Sequence, residues 1–197
     1  MKNFKQNLLK TVIGVACAVL PAHKLHAQAI INVDNVTNEI FWGIGGSYTM
    51  PSNNDVRGMG VYVNGGVATW VDMYDSKING CAIILINGGG TRFNTDKYRY
   101  DCDVGVRFGV GYGPATVMLI RESGLSVGNR KDIVIKNAYG CGISVALGLY
   151  TRINADFMYT MPASNNQSTD VPDELAAKRN IVRLGLVYTL SRKLKQK

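Results

Sequence analysis

The most regular pattern in the chain lies at residues 98–113, where apolar and polar side chains alternate without a break. The even positions are Tyr98, Tyr100, Cys102, Val104, Val106, Phe108, Val110 and Tyr112. The odd positions are Arg99, Asp101, Asp103, Gly105, Arg107, Gly109, Gly111 and Gly113. Successive side chains of a β-strand point to opposite faces, so this strand has one wholly apolar face and one face of charges and glycines. Tyrosines close both ends of the apolar face, and smaller apolar side chains lie between them. At about 3.3 Å per residue and a tilt of roughly 40°, the run from Cys102 to Val110 rises somewhat over ~20 Å. That approaches the ~25 Å apolar band of a membrane barrel, whose rims carry aromatic girdles.

The same period of two recurs along the chain. Residues 39–50 set Ile40, Trp42, Ile44 and Tyr48 against Phe41, Gly43, Gly45, Ser47 and Thr49. Residues 59–74 gather valines on one face, but Trp70 falls on the polar face, so it either packs inside or marks a bulge. Residues 131–149 oppose Ile133, Ile135, Tyr139, Cys141 and Ile143 to Asp132, Lys136, Gly140, Gly142 and Ser144. Residues 152–161 oppose Phe157 and Tyr159 to Asn154 and Asp156, and residues 180–190 oppose Leu184, Leu186 and Tyr188 to Arg183 and Gly185. Two further strands, 81–93 and 115–122, are too continuously apolar for their faces to be told apart. Long polar loops alternate with tight turns, clearly at 123–130, 150–151 and 162–179 and more loosely before. The pattern predicts an all-β fold, an eight-stranded antiparallel up-and-down transmembrane β-barrel over residues 39–190, with both termini on the short-turn side.

Composition agrees with many strands and turns, since charges are sparse and there are 22 glycines. Residues 1–27 have the plan of a signal peptide: a basic start, an apolar run over 11–20, then Pro21 and Ala27-Gln28-Ala29, with cleavage after Ala27 or Ala29. The apolar run is far shorter than the ~20 residues of a membrane-spanning helix. Residues 28–38 read as a polar periplasmic lead and 191–197 as a basic tail. Lys2, Lys5, Lys10 and Lys24 leave with the signal, which lowers the formal charge from +8 to +4, with 18 basic and 14 acidic residues remaining. Four of those basic residues sit in the tail, so the body is near neutral and nucleic acid is not an expected partner. Cys81, Cys102 and Cys141 have no metal-like spacing.

Alternation alone also fits a soluble sandwich or a lipocalin-like barrel with its apolar face turned inward. The aromatic-capped apolar faces favour lipid outside. Charges of both signs among glycines favour a narrow lumen in which they pair. The expected lumen network is Arg99, Asp101, Asp103, Arg107, Asp132, Lys136, Asp156 and Arg183, with Asp103 the expected partner of Arg107 on its own strand.

On these strands the chain resembles the small outer-membrane β-barrel proteins, the OmpA, OmpX and OmpW-like group. The resemblance covers about residues 39–190 and includes the closing strand Arg183-Leu-Gly-Leu-Val-Tyr-Thr-Leu190. That strand is similar to the group's signal for the barrel-assembly machinery, although Ser191 and six more residues follow it here. The resemblance implies residence in the outer membrane of a Gram-negative-type bacterium, in contact with outer-membrane lipid.

Function reads only as a class. Barrel hydrolases and acyltransferases depend on a histidine base, and both histidines, His23 and His26, belong to the signal. No enzyme activity, cofactor or metal is therefore expected; Asp101 and Asp103 lack a third ligand at a recognisable spacing. The leading expectation is a structural or surface-interaction role, adhesion or recognition of an extracellular ligand or partner protein, through the loop at 162–179. The alternative is porin-like passage or binding of small, hydrophobic solutes, which rests on analogy of fold.

Overall fold

The computed structural model describes residues 33–50, 56–73, 77–128, 133–162 and 178–196. Within them lie eight strands: β1 (Val33–Thr49), β2 (Gly58–Met73), β3 (Ile78–Phe93), β4 (Tyr98–Tyr112), β5 (Ala115–Gly128), β6 (Ile133–Ala146), β7 (Thr151–Pro162) and β8 (Arg179–Gln196). Each pairs antiparallel with its neighbours, and β8 returns to β1 to close the barrel. Closure leaves no free edge, so every strand finds backbone partners on both sides.

The alternation in the sequence sets the facing. On β4, Tyr98, Tyr100, Cys102, Val104, Phe108, Val110 and Tyr112 are exposed, whereas Arg99, Asp103, Gly105 and Arg107 are buried in the lumen. The outer surface is an apolar belt with tyrosines towards both rims. On one side Tyr139 and Tyr159 face each other across β6 and β7; on the other Tyr188 lies beside Trp42 and 6.4 Å from the ring of Tyr150.

The two strands without readable faces are apolar on both. β3 turns Cys81, Ile83 and Leu85 inward and Ala82, Ile84 and Ile86 outward. β5 turns Met118 and Ile120 inward and Val117 and Leu119 outward. The inward residues of β3 pack with Phe41, Ala68, Met118 and Val187 in an apolar cluster, with Trp70 against it. Trp70 is thus inside, and the β2 ladder runs past it without a bulge.

Several boundaries differ from the sequence reading. β1 begins at Val33 and β8 runs to Gln196, so part of the supposed lead and tail is barrel wall: Asn35 pairs with Gln196 and Glu39 with Arg192. Backbone pairing asks nothing of hydrophobicity, and Thr37 and Glu39 turn their side chains into the lumen, where polarity is no obstacle. One bulge between Ile40 and Phe41 leaves Leu190 unmatched on β8. β5 likewise continues through 123–128, read from sequence as loop. β6 stops at Ala146, so Leu147 and Leu149 lie in the turn instead of on a strand face. The β4–β5 hairpin has two linking residues; Gly113 takes φ +58°, which glycine adopts without steric cost, and Pro114 follows. The signal-peptide segment and most of the loop at 162–179 lie outside the described residues.

Candidate functional site

The lumen-facing charges form one continuous ladder in the half of the barrel nearer the long loops. Arg99 Nε lies 3.1 Å from Asp101 Oδ2, and Lys136 Nζ lies 2.8 Å from Asp101 and 3.2 Å from Asp103. Ser126 Oγ donates to Asp101 at 2.5 Å. Arg183 Nη2 reaches Asp103 at 3.8 Å, while its Nη1 donates to Glu122 at 2.6 Å. Arg107 Nη2 stands 3.4 Å from Glu122 and 2.9 Å from Asp156 Oδ2, and its Nη1 donates to Asp156 Oδ1 at 3.3 Å. The Lys136 contacts are charge contacts rather than aligned hydrogen bonds.

Four cations, Arg99, Arg107, Lys136 and Arg183, therefore face four carboxylates, Asp101, Asp103, Glu122 and Asp156. The balance has a physical cause. Arg107, Glu122, Asp103 and Asp156 are each at most 2% exposed, and an uncompensated charge at such a depth costs several kcal/mol. Shared carboxylates let Arg107 and Arg183 each engage two guanidinium nitrogens.

Seven of the eight residues expected from sequence are here, while Asp132 lies outside the described residues. The member that was missed is Glu122, which bridges Arg107 and Arg183. It sits at the end of a strand with unreadable faces, but its even spacing from Thr116, Met118 and Ile120 was a usable signal. The expected Arg107–Asp103 pair does not form. Residues i and i+4 of one strand stand about 13 Å apart, and Arg107 reaches Glu122 on the neighbouring β5 and Asp156 on β7 instead. A second missed pair lies nearer the turn end, where Arg152 Nη2 stands 3.2 Å from Glu39. Trp70 Nε1 donates to the same carboxylate at 2.9 Å, and the Arg152 guanidinium stacks 3.7 Å from its ring centroid.

Around the ladder, large side chains occupy much of the described lumen. Tyr62 lies across it, 5.4 Å from the Arg183 guanidinium, and its ring and hydroxyl occupy the space that a Cβ at Gly45 or Gly185 would need. Towards the loops Phe93 is 2% exposed, with Arg99 and Arg179 at 5.4 and 5.2 Å from its ring. Two interior cavities, one beside Phe41 and Arg107 and one beside Tyr62 and Asp103, are each about 20 Å³. Roughly 10–15 Å³ holds one water, so neither admits a solute. A larger polar vestibule of about 180 Å³ opens at the turn end between Trp70, Asn79, Thr116 and Arg152. Among the described residues no cluster of His, Cys, Asp or Glu is placed to hold a metal ion.

No family model and no curated protein matches the sequence. Among solved structures, the crystal structure of Neisserial surface protein A overlaps 78% of this chain and 97% of its own at 11% identity, with a TM-score of 0.55. A de novo designed transmembrane β-barrel overlaps 81% of this chain and 98% of its own at 12% identity, with a TM-score of 0.37. Ail, the attachment invasion locus protein of Yersinia pestis, overlaps 80% and 98% at 17% identity, with a TM-score of 0.28. The last two superpose too loosely to bear weight. The closed eight-strand topology, the apolar belt and the first of these likenesses agree: this chain has the fold of the small eight-stranded outer-membrane β-barrels.

Proposed function

We propose that this chain resides in the outer membrane and acts there without enzymatic chemistry, as a surface-interaction protein that presents adhesive or recognition loops on a solid barrel. The observation that carries the reading is the filled lumen. The balanced charge ladder and Tyr62 leave interior cavities of about 20 Å³, and a passage role would need a path that these side chains occupy. With the interior given to stability, the work falls to what the barrel displays. The loop at 162–179 is the longest polar connection in the sequence, and rigid scaffolds characteristically carry recognition on such loops. Export by a signal cleaved after Ala27 or Ala29, insertion by the barrel-assembly machinery and a protein or glycan partner at the loops belong to the same reading.

The test has two steps. The protein should fractionate with outer membranes and run faster on a gel unheated than boiled. Cells displaying it should then adhere to matrix-coated surfaces more than cells displaying a variant in which Ser164 to Lys178 are replaced by a short Gly-Ser linker. Recovery as a soluble protein, or equal adhesion by both displays, would overturn the reading.

A further inference from the structure

The lipid-facing surface has one charged side chain away from the strand ends among the described residues, Arg121 on β5. Leu119 precedes it and Leu125 follows on the same face. Its guanidinium lies 5.6 Å from the ring centroid of Tyr139, the residue opposite it on β6. No described carboxylate stands within ion-pair distance. Arg92, by contrast, lies at the loop end of β3 and pairs with Asp96 at 2.8 Å.

The surroundings are polar in the same place. Ser123 and Asn137 face each other one step nearer the loops, and the row through Arg121 and Tyr139 continues to Tyr159 on β7 and Asn180 on β8. Arg121 itself stands opposite Val106 of β4, within the apolar belt, with its guanidinium turned to Tyr139 of the loop-side tyrosines, where amphipathic rings meet headgroups. An arginine in acyl chains is costly in proportion to its depth, and the stem relieves this by carrying the head to the interface. A guanidinium there matches one phosphate: a planar fork for two oxygens, with the Tyr139 hydroxyl and the Asn137 amide as donors for the rest, while the Ser123 hydroxyl, which donates to the Lys136 carbonyl at 3.4 Å, completes the polar wall. Leu125 and Ile135 on one side and Leu119 and Cys141 on the other leave apolar walls for the chains attached to that phosphate.

We propose that Arg121, with Tyr139, Ser123 and Asn137, forms a binding site on the outer wall for the phosphate of a lipid in the loop-side leaflet. The proposal rests on the membrane-barrel reading. A protein partner is less suited, because the notch offers a single charge and is only two residues long on each of two strands.

The test uses the purified barrel in a neutral detergent, with its folded state checked by unheated gel mobility, so that failure of the barrel is seen separately from failure of the site. Native mass spectrometry against short-chain phosphatidic acid, the matching diacylglycerol and inorganic phosphate reads occupancy. Phosphatidic acid should bind, with Arg121→Leu weakening it at least tenfold and Tyr139→Leu several-fold, while diacylglycerol and free phosphate bind weakly to all. Should Arg121→Leu fail to fold, Arg121→Gln carries the same comparison. Equal binding by wild type and variant would overturn the site. Tight binding of inorganic phosphate alone would overturn the lipid as its source. A wild-type dimer that Arg121→Leu converts to monomer would assign the notch to a second protein chain instead.

Discussion

Removing Arg107 takes one cation from a lumen that holds four cations against four carboxylates. Glu122 keeps Arg183 at 2.6 Å, but Asp156 has Arg107 as its ion-pair partner and is 2% exposed. Arg107→Ala therefore strands Asp156 in the barrel interior, a loss of about 3–5 kcal/mol by the usual cost of breaking a buried pair. Arg107→Ala with Asp156→Ala restores a balance of three against three, so the double variant should lose less than the sum of the singles by about 2–3 kcal/mol, the range of strongly coupled neighbours. Urea unfolding from lipid vesicles, followed by tryptophan emission, measures this directly. Trp42 reports the lipid face and Trp70 the lumen. With a urea slope of about 2 kcal/mol per molar, Arg107→Ala should lower the midpoint by about 1.5–2.5 M. A neutral single variant, or strictly additive singles, would refute the claim that the ladder is a coupled, buried network.

Three further outcomes follow from the facing and the packing. Val106→Arg, on the lipid face of β4 near its middle, should cost about 2–4 kcal/mol or block assembly, as read by folded yield in vesicles. Gly185→Ala should cost about 1–3 kcal/mol because its Cβ meets the Tyr62 hydroxyl, and Tyr62→Phe should recover part of that loss in the same urea titration. Replacing Ser164 to Lys178 by a short linker should leave unheated gel mobility unchanged, because closure entropy varies slowly with loop length, while removing adhesion.

How far the sequence could be read depended on contrast between the two walls of each strand. β4, β6, β7 and β8 place charges and glycines inward and aliphatics outward, so alternation revealed their faces and, with them, seven ladder residues. β3 and β5 offer no such contrast. The turn-side half of the lumen is packed by Cys81, Ile83, Leu85 and Met118, which resemble the lipid-facing residues beside them. Glu122 was lost with that ambiguity. The Arg107 partners are hidden for a different reason: pairing inside a barrel depends on which strands approach one another, and the pattern of one strand does not contain that. Polar residues 33–38 and 191–196 look like chain ends because their composition suggests solvent, although the backbone of each completes the β1–β8 seam. Alternation alone allows Trp70 two placements, and its hydrogen bond to Glu39 gives the reason for the inward one.

The central claim, that this barrel is filled and works at its surface, is tested most directly by recording current from the purified protein in planar bilayers. The ladder, Phe93 between two guanidiniums and cavities of about 20 Å³ predict insertion without steady conductance. Reproducible open channels from the folded, unmodified protein would contradict it and return the lumen to a role in solute passage.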